Sequence, residues 1–217
     1  EKIADSALHP NLIRWLNAYI SGRKAWCVYN GAISRQFILR SGVPQGSVLS
    51  PALFNFFVSD CPSDGDIQDS YADDFDLMES DSDLSVLDRK LQASVDSVVE
   101  WAKRKKLTIA PAKSQVTLFT PWNKQMHVRP NISIDGIPVP LNEHIKYLGV
   151  NFDPLFNSSR QASCLETTGN QRKNLLKAVS GSDWGHDKET LLLTYKALVE
   201  SVFSFCVGIW FPNCEPS

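Results

Sequence analysis

Two adjacent aspartates, Asp73 and Asp74, follow Tyr71-Ala72 in the middle of a run, residues 67–78, that otherwise reads as two short strands. This pair constrains the fold more than any other feature. Neighbouring carboxylates repel, and ionised carboxylates are costly to desolvate unless they are paired or bound to metal. The pair therefore belongs at a hairpin tip, outside the core. Asp also tolerates turn geometry, so a plain solvated turn accounts for the dipeptide taken alone. Asp76, Glu79, Asp81 and Asp83 read as a solvated acidic face and a helix cap.

The alternative to a solvated turn is a divalent cation. Hard oxygen ligands suit Mg²⁺, and two such ions roughly 4 Å apart can activate a hydroxyl and stabilise a leaving phosphate group. Context favours this alternative. One helix and one turn upstream lies residues 41–51, Ser-Gly-Val-Pro-Gln-Gly-Ser-Val-Leu-Ser-Pro. Its two glycines allow backbone to approach a flat or charged ligand closely. Gln45 offers both a donor and an acceptor. A lone Gly/Pro loop is a weak signal; followed by a strand, Tyr-Ala-Asp-Asp and another strand, it becomes a strong one.

The flanking pattern predicts an α+β body. A helix opens at His9-Pro10 and carries Leu12, Ile13, Leu16, Tyr19 and Ile20 at helical spacing, with Ser21-Gly22 to stop it. Strands are predicted over 25–30 and 37–39, with a turn at Asn30-Gly31. Ser50 can cap a helix that has Pro51 at its first position and Leu53, Phe54, Phe57 and Val58 as its buried stripe. A long helix places Leu84, Leu87, Leu91, Val95, Val98 and Ala102 on one face and ends in Lys103, Arg104, Lys105 and Lys106, where cations suit the dipole. Strands are predicted over 107–109, 116–119, 132–134 and 145–152. Helical pattern follows over 161–179 and from 188 to 205. The predicted division is a body over 1–153 and an all-α segment over 154–217.

Composition adds limits. The 217 residues suffice for one sizeable domain, and 43% hydrophobic content argues against disorder. The net charge of -2 lacks the basic surplus usual in nucleic-acid binders. No secretion signal is visible. The most apolar run, 198–210, is interrupted by Glu200 and Ser201 and predicts a buried helix rather than a membrane span. Cys27, Cys61, Cys164, Cys206 and Cys214 are odd in number and form no C-x-x-C pair, which fits free thiols in an intracellular, reducing compartment. His9, His127, His144 and His186 are isolated and receive no catalytic role.

Taken together, these blocks resemble the reverse transcriptases of non-LTR (LINE-type, jockey-like) retrotransposons. Residues 41–51 are similar to that family's loop contacting template and nucleotide, and Tyr71-Ala72-Asp73-Asp74 to its catalytic box. Leu107-Thr108-Ile109 with Lys113 resembles the next motif, whose lysine lies near the incoming phosphates. His144-Ile145-Lys146-Tyr147-Leu148-Gly149-Val150 resembles the primer-grip strand pair. Trp15, Gly22, Arg23, Trp101, Trp184 and Gly185 also match, so the likeness runs along nearly the whole chain.

The resemblance implies a polymerase palm followed by a thumb-like helical segment. It implies RNA-templated DNA synthesis by two-metal catalysis, with Mg²⁺ or Mn²⁺ held by Asp73 and Asp74. Template and nucleotide would meet Pro44, Gln45, Gly46, Ser47, Tyr71 and Lys113. The primer would meet Tyr147, Leu148 and Gly149. The implied partners are an RNA template, a DNA primer, dNTPs and the remainder of a retrotransposon polyprotein, with no membrane.

Three departures stand out. The family's first catalytic aspartate, which follows an aromatic residue, is expected upstream of Glu1; Asp5 follows Ala4 and does not take that role. Ala110 stands where a polar residue is common. Phe75-Asp76 puts a charge where an apolar residue is usual. On these grounds the segment alone is expected to be inactive. The alternative reading is a degenerate polymerase fold that only binds RNA or has no activity.

Overall fold

The computed structural model describes the chain apart from residues 1, 4, 5, 64, 123, 126, 127, 182, 183 and 214–217. Asp5, Asp64, His127 and Cys214 therefore lie outside the described residues. Helix α1 (Pro10–Ile20) starts where expected, with the His9 ring accepting from the Asn11 amide at 3.2 Å. Trp15 stacks on Tyr19 with ring centroids 5.4 Å apart.

The first β structure is a bent hairpin in two pieces. β1 (Lys24–Ala25) pairs with β4 (Phe37–Ile38), and β2 (Val28–Tyr29) pairs with β3 (Ala32–Ile33) around Asn30-Gly31. The strand predicted over 25–30 is thus interrupted. At the break the Cys27 amide donates to the Ser34 hydroxyl at 2.9 Å, so a side chain replaces one ladder bond.

Helix α2 (Ser50–Val58) and helix α3 (Leu84–Arg104) flank the hairpin of β5 (Ile67–Tyr71) and β6 (Asp74–Met78). Val58, Trp101 and Ala102 form a buried cluster against Phe54, Phe57, Cys61, Phe75, Leu107 and Ile109. Both helical stripes were legible as sequence periodicity, and here they meet on β6 through Phe75. The Phe75 ring meets Trp101 edge-on at 5.9 Å. Asp83 caps α3 by accepting from the Ser85 amide at 2.8 Å. Ser50 does not cap α2. It is the first helical residue, and its hydroxyl turns back to donate to the Pro44 carbonyl.

Asp60 pins this core to the end of α3. Its carboxylate receives Lys105 Nζ at 2.5 Å, Lys2 Nζ at 3.0 Å and Trp101 Nε1 at 3.4 Å. These cations, Lys105 foremost, hold the Asp60 carboxyl well below the usual carboxylate range. A depressed folded-state pKa contributes stability above the ordinary value near 3.9 and loses it as pH falls toward the folded value. Thermal melts are therefore expected to weaken from about pH 4 to about pH 2, and Asp60→Asn is expected to flatten that part of the curve. The pairs are largely exposed, so the effect at neutral pH is small. An unchanged acid limb in Asp60→Asn would contradict this account.

Beyond α3 the predicted strands 107–109 and 116–119 do not join a ladder. Val116, Leu118 and Thr120 do alternate inward, as an extended chain should. The chain facing them contains Pro138 and Pro140, which have no amide to donate, and pairing is reduced to a parallel bridge between Val116 and Leu141. β7 (Ser133–Ile134) and β8 (Ile137–Pro138) turn at Asp135-Gly136. The predicted strand 145–152 folds back on itself as β9 (Ile145–Tyr147) and β10 (Val150–Phe152). Among the described residues the β structure is five two-stranded ribbons rather than one shared sheet.

The C-terminal part is helical: α4 (Ser159–Ala178), α5 (Lys188–Tyr195), a π-helical turn (Lys196–Glu200), α6 (Ser201–Ser204) and α7 (Val207–Trp210). Val150, Leu165 and Trp210 form a second buried cluster, so this part packs on β10. The buried helix predicted over 198–210 is not observed. The backbone breaks at Phe205 and at Cys206, whose φ is +50°. Val199 and Trp210 are buried, whereas Leu198, Phe203, Phe205, Val207 and Ile209 are exposed. Only one stripe of the run faces α4, which is why the rest stays outside. By length and composition alone, Lys188–Trp210 is apolar enough to cross a membrane.

Candidate active site

The β5–β6 register pairs Tyr71 with Asp74, leaving Ala72-Asp73 as a two-residue turn. The carboxylate pair thus sits at the hairpin tip, with Asp73 in the turn and Asp74 opening β6. Tyr71, Asp73 and Asp74 are all exposed. Neither carboxylate is hydrogen-bonded or ion-paired among the described residues.

Two-residue turns need positive φ, which suits Gly, Asn and Asp. Asn30-Gly31 (φ +46° and +78°) and Asp135-Gly136 (+52° and +75°) obey this rule. Ala72 at +56° and Leu148 at +44° do not. A left-handed conformation costs an L-residue about 1–2 kcal/mol, and such strain gathers at functional sites. The two strained turns are the tip of β5–β6 and the tip of β9–β10, the hairpins singled out by the catalytic box and the primer-grip match.

The Pro44-Gln45-Gly46-Ser47 segment is a turn closed by the Ser47 amide on the Pro44 carbonyl at 3.3 Å. Gly46 has φ +82° at its third position, as a type II turn requires. Three side chains brace this loop from below. Ser50 donates to Pro44, the Tyr19 hydroxyl bonds Ser47, and Arg23 donates to the Ser41 carbonyl at 3.1 Å and to that of Gly42. Gln45 and Val48 are exposed, Val48 at 94%. No atom lies within 4 Å of a Cβ built on Gly46. Gly46→Ala should therefore cost only conformational strain, about 1–2 kcal/mol in a denaturant melt, and Gly46→Asn less, because Asn tolerates this region. A neutral Gly46→Ala would show that the turn is not held in this form.

Lys113 lies in an exposed turn, with its amide on the Ala110 carbonyl at 3.0 Å. Tyr147 pairs with Val150 at the base of the Leu148-Gly149 turn. A Cβ on Gly149 would stand 3.0 Å from the Phe205 ring, so the helical segment closes over this turn.

Asp76 is what the sequence reading placed wrongly. It is half-buried, not a solvated acid. Burial pushes its carboxyl up, the Tyr147 hydrogen bond opposes that, and Asp74 and Asp69 push it further up. The same hydrogen bond raises the Tyr147 phenol to about 12. Asp76 Oδ2 is buried without a partner among the described residues. The unusual charge after the box was visible in sequence; its partner was not. The braces from Tyr19 and Arg23 were equally invisible, since helical spacing shows a face and not what it touches.

A strand–Asp-Asp–strand hairpin backed by two helices is the arrangement of palm-type polymerases. The chain belongs to the reverse transcriptase (RNA-dependent DNA polymerase) family, whose model matches residues 2–152. It is 28% identical over 172 residues to the RNA-directed DNA polymerase from mobile element jockey of Drosophila funebris, covering 75% of this chain and 18% of that protein. It is 31% identical over 147 residues to the probable RNA-directed DNA polymerase from transposon BS of Drosophila melanogaster, covering 64% of this chain and 16% of that protein. It is 29% identical over 217 residues to the corresponding probable polymerase from transposon X-element of the same species, covering 92% of this chain and 22% of that protein. The chain thus spans about a fifth of the length of these curated relatives. No solved structure is significantly similar.

Proposed function

We propose that this chain is the palm-containing part of the RNA-directed DNA polymerase of a jockey-like non-LTR retrotransposon, acting on an RNA template, a DNA primer and dNTPs. The observation that supports this best is the placing of Asp73 and Asp74, unpaired and exposed, at the tip of a hairpin inside the family match. Residues 1–153 form the palm in this reading, and residues 154–217 the thumb-side segment that leans on the primer-grip turn. The remainder of a longer polyprotein supplies the other parts.

The donor set fits a hard divalent cation, Mg²⁺ or Mn²⁺. Asp73 and Asp74 offer carboxylate oxygens that nothing else among the described residues occupies, and no third His, Cys, Asp or Glu converges with them there. The pair leaves other coordination positions to water and substrate phosphates, as is usual for Mg²⁺. When bound, the metal supplies activation of the primer 3′-hydroxyl and neutralisation of the departing pyrophosphate. The chain's own residues do the positioning. The Pro44–Ser47 turn presents backbone and the Gln45 amide to nucleotide and template, and Tyr71 stands beside them at the tip. Lys113 offers a cation to the incoming phosphates. Tyr147, Leu148 and Gly149 support the primer end.

The test is primer extension on RNA with Mg²⁺ and dNTPs, comparing wild type with Asp73→Asn. Extension that survives the substitution in a folded sample would defeat the reading.

A further inference from the structure

We propose that Asp76 is a positioning residue: its carboxyl, hydrogen-bonded to the Tyr147 hydroxyl, ties the β5–β6 hairpin to the β9–β10 hairpin and so sets the primer end against Asp73 and Asp74. This rests on the polymerase reading above and assigns a role to a residue outside the family box.

Strand geometry starts the argument. Side chains alternate across a strand, so Asp74 and Asp76 share one face of β6 while Phe75 takes the other. Phe75 packs on Trp101 and the α2–α3 core. The Asp74–Asp76 face therefore looks away from the helices, and Tyr147 meets it there. The two hairpins share no ladder hydrogen bonds among the described residues, since each is a separate two-stranded ribbon. A side-chain bond between them fixes their relation where backbone pairing does not.

The cost of this bond argues that it is not simply a packing device. Asp76 stands opposite Asp69 in the hairpin register, with Asp74 nearby. Its second oxygen is buried and unpartnered among the described residues. Like charges opposite each other and buried unsatisfied oxygens both destabilise a fold. An apolar residue would serve the core better. What the carboxyl provides is an acceptor of defined direction for Tyr147, one residue before the strained Leu148-Gly149 turn.

The experiment uses the full-length polypeptide, with single-turnover extension, primer–template binding and a thermal melt for each variant. Asp76→Ala is expected to lower kcat about ten- to a hundredfold, the scale of a small misplacement of reacting atoms. Primer–template affinity should stay within about twofold, and the melting temperature should be equal or higher. Asp76→Asn, which keeps an acceptor, should recover most of the rate. Tyr147→Phe should slow extension to a similar degree, and the double variant Asp76→Ala/Tyr147→Phe should be no slower than the worse single one, because both remove the same bond.

The proposal is overturned if Asp76→Ala extends at the wild-type rate, if the two single losses multiply in the double variant, or if the rate loss tracks a lowered melting temperature. Asp73→Asn run in parallel separates the two claims. If Asp73→Asn is inactive while Asp76→Ala is normal, only the positioning role fails. If Asp73→Asn extends normally, the polymerase reading itself fails.

Discussion

Asp73→Asn is expected to reduce primer extension by about a thousandfold or more, equivalent to about 4 kcal/mol of transition-state stabilisation. The substitution preserves shape and hydrogen-bonding atoms but deletes the charge that would hold a divalent cation. A group that acts on the reacting phosphate lowers the catalytic rate rather than substrate affinity. RNA binding should therefore change little. Asp73 is exposed at a turn and has no hydrogen bond or ion pair among the described residues, so no folded-state contact is lost. Relief of repulsion with Asp74 should leave stability in metal-free buffer equal or slightly raised. The measurement is single-turnover extension beside melts with and without Mg²⁺. A collapsed melt would make the carboxylate structural. Gln45→Ala offers a useful contrast. Its exposed amide is expected to contact nucleotide or template, so weaker binding and a milder loss of rate should result.

Trp101→Ala is expected to be the most damaging change to the fold, costing about 3–5 kcal/mol. Trp101 is only 3% exposed and sits where α2, α3 and β6 meet. Its ring meets Phe75 edge-on, and its Nε1 reaches Asp60. Truncation leaves a cavity the two helices cannot close without moving β6, and β6 carries Asp74. Domain stabilities are about 5–15 kcal/mol in all, so the variant should unfold over much of the range in which wild type is native. Trp101→Phe keeps most of the buried area and should cost far less. Urea melts of both variants decide the matter. A loss under about 1 kcal/mol for Trp101→Ala would mean that this cluster is not the core of the body.

Much of the site was legible in the residues themselves. The hairpin tip followed from charge repulsion between Asp73 and Asp74. The helices α2 and α3 followed from apolar spacing, and the turns at Asn30-Gly31 and Asp135-Gly136 from residues that accept positive φ. The errors have local physical causes. The strand expected over 116–119 keeps its inward alternation but lacks a ladder, because Pro138 and Pro140 face it without amides. The helix expected over 198–210 breaks at Cys206, where neither Gly nor Pro warned of it. Apolar content there was read as burial, yet composition records how apolar a helix is and not how many of its faces find a neighbour.

The sequence by itself determined the chemistry available and the local shapes that present it: a paired-carboxylate tip, a Gly/Pro loop before a helix, and two amphipathic helices. These depend on short-range sterics, charge and periodicity, which neighbouring residues set among themselves. Only the tertiary structure decided what those pieces touch. It placed Tyr147 on Asp76, Arg23 and Tyr19 under the loop, and Phe205 over Gly149. Each contact joins segments far apart in the chain, and its partner is chosen by how the cores at Trp101 and Trp210 close rather than by any pattern in either segment. That is why Asp76, an ordinary surface acid in one dimension, becomes a half-buried link between two hairpins in three.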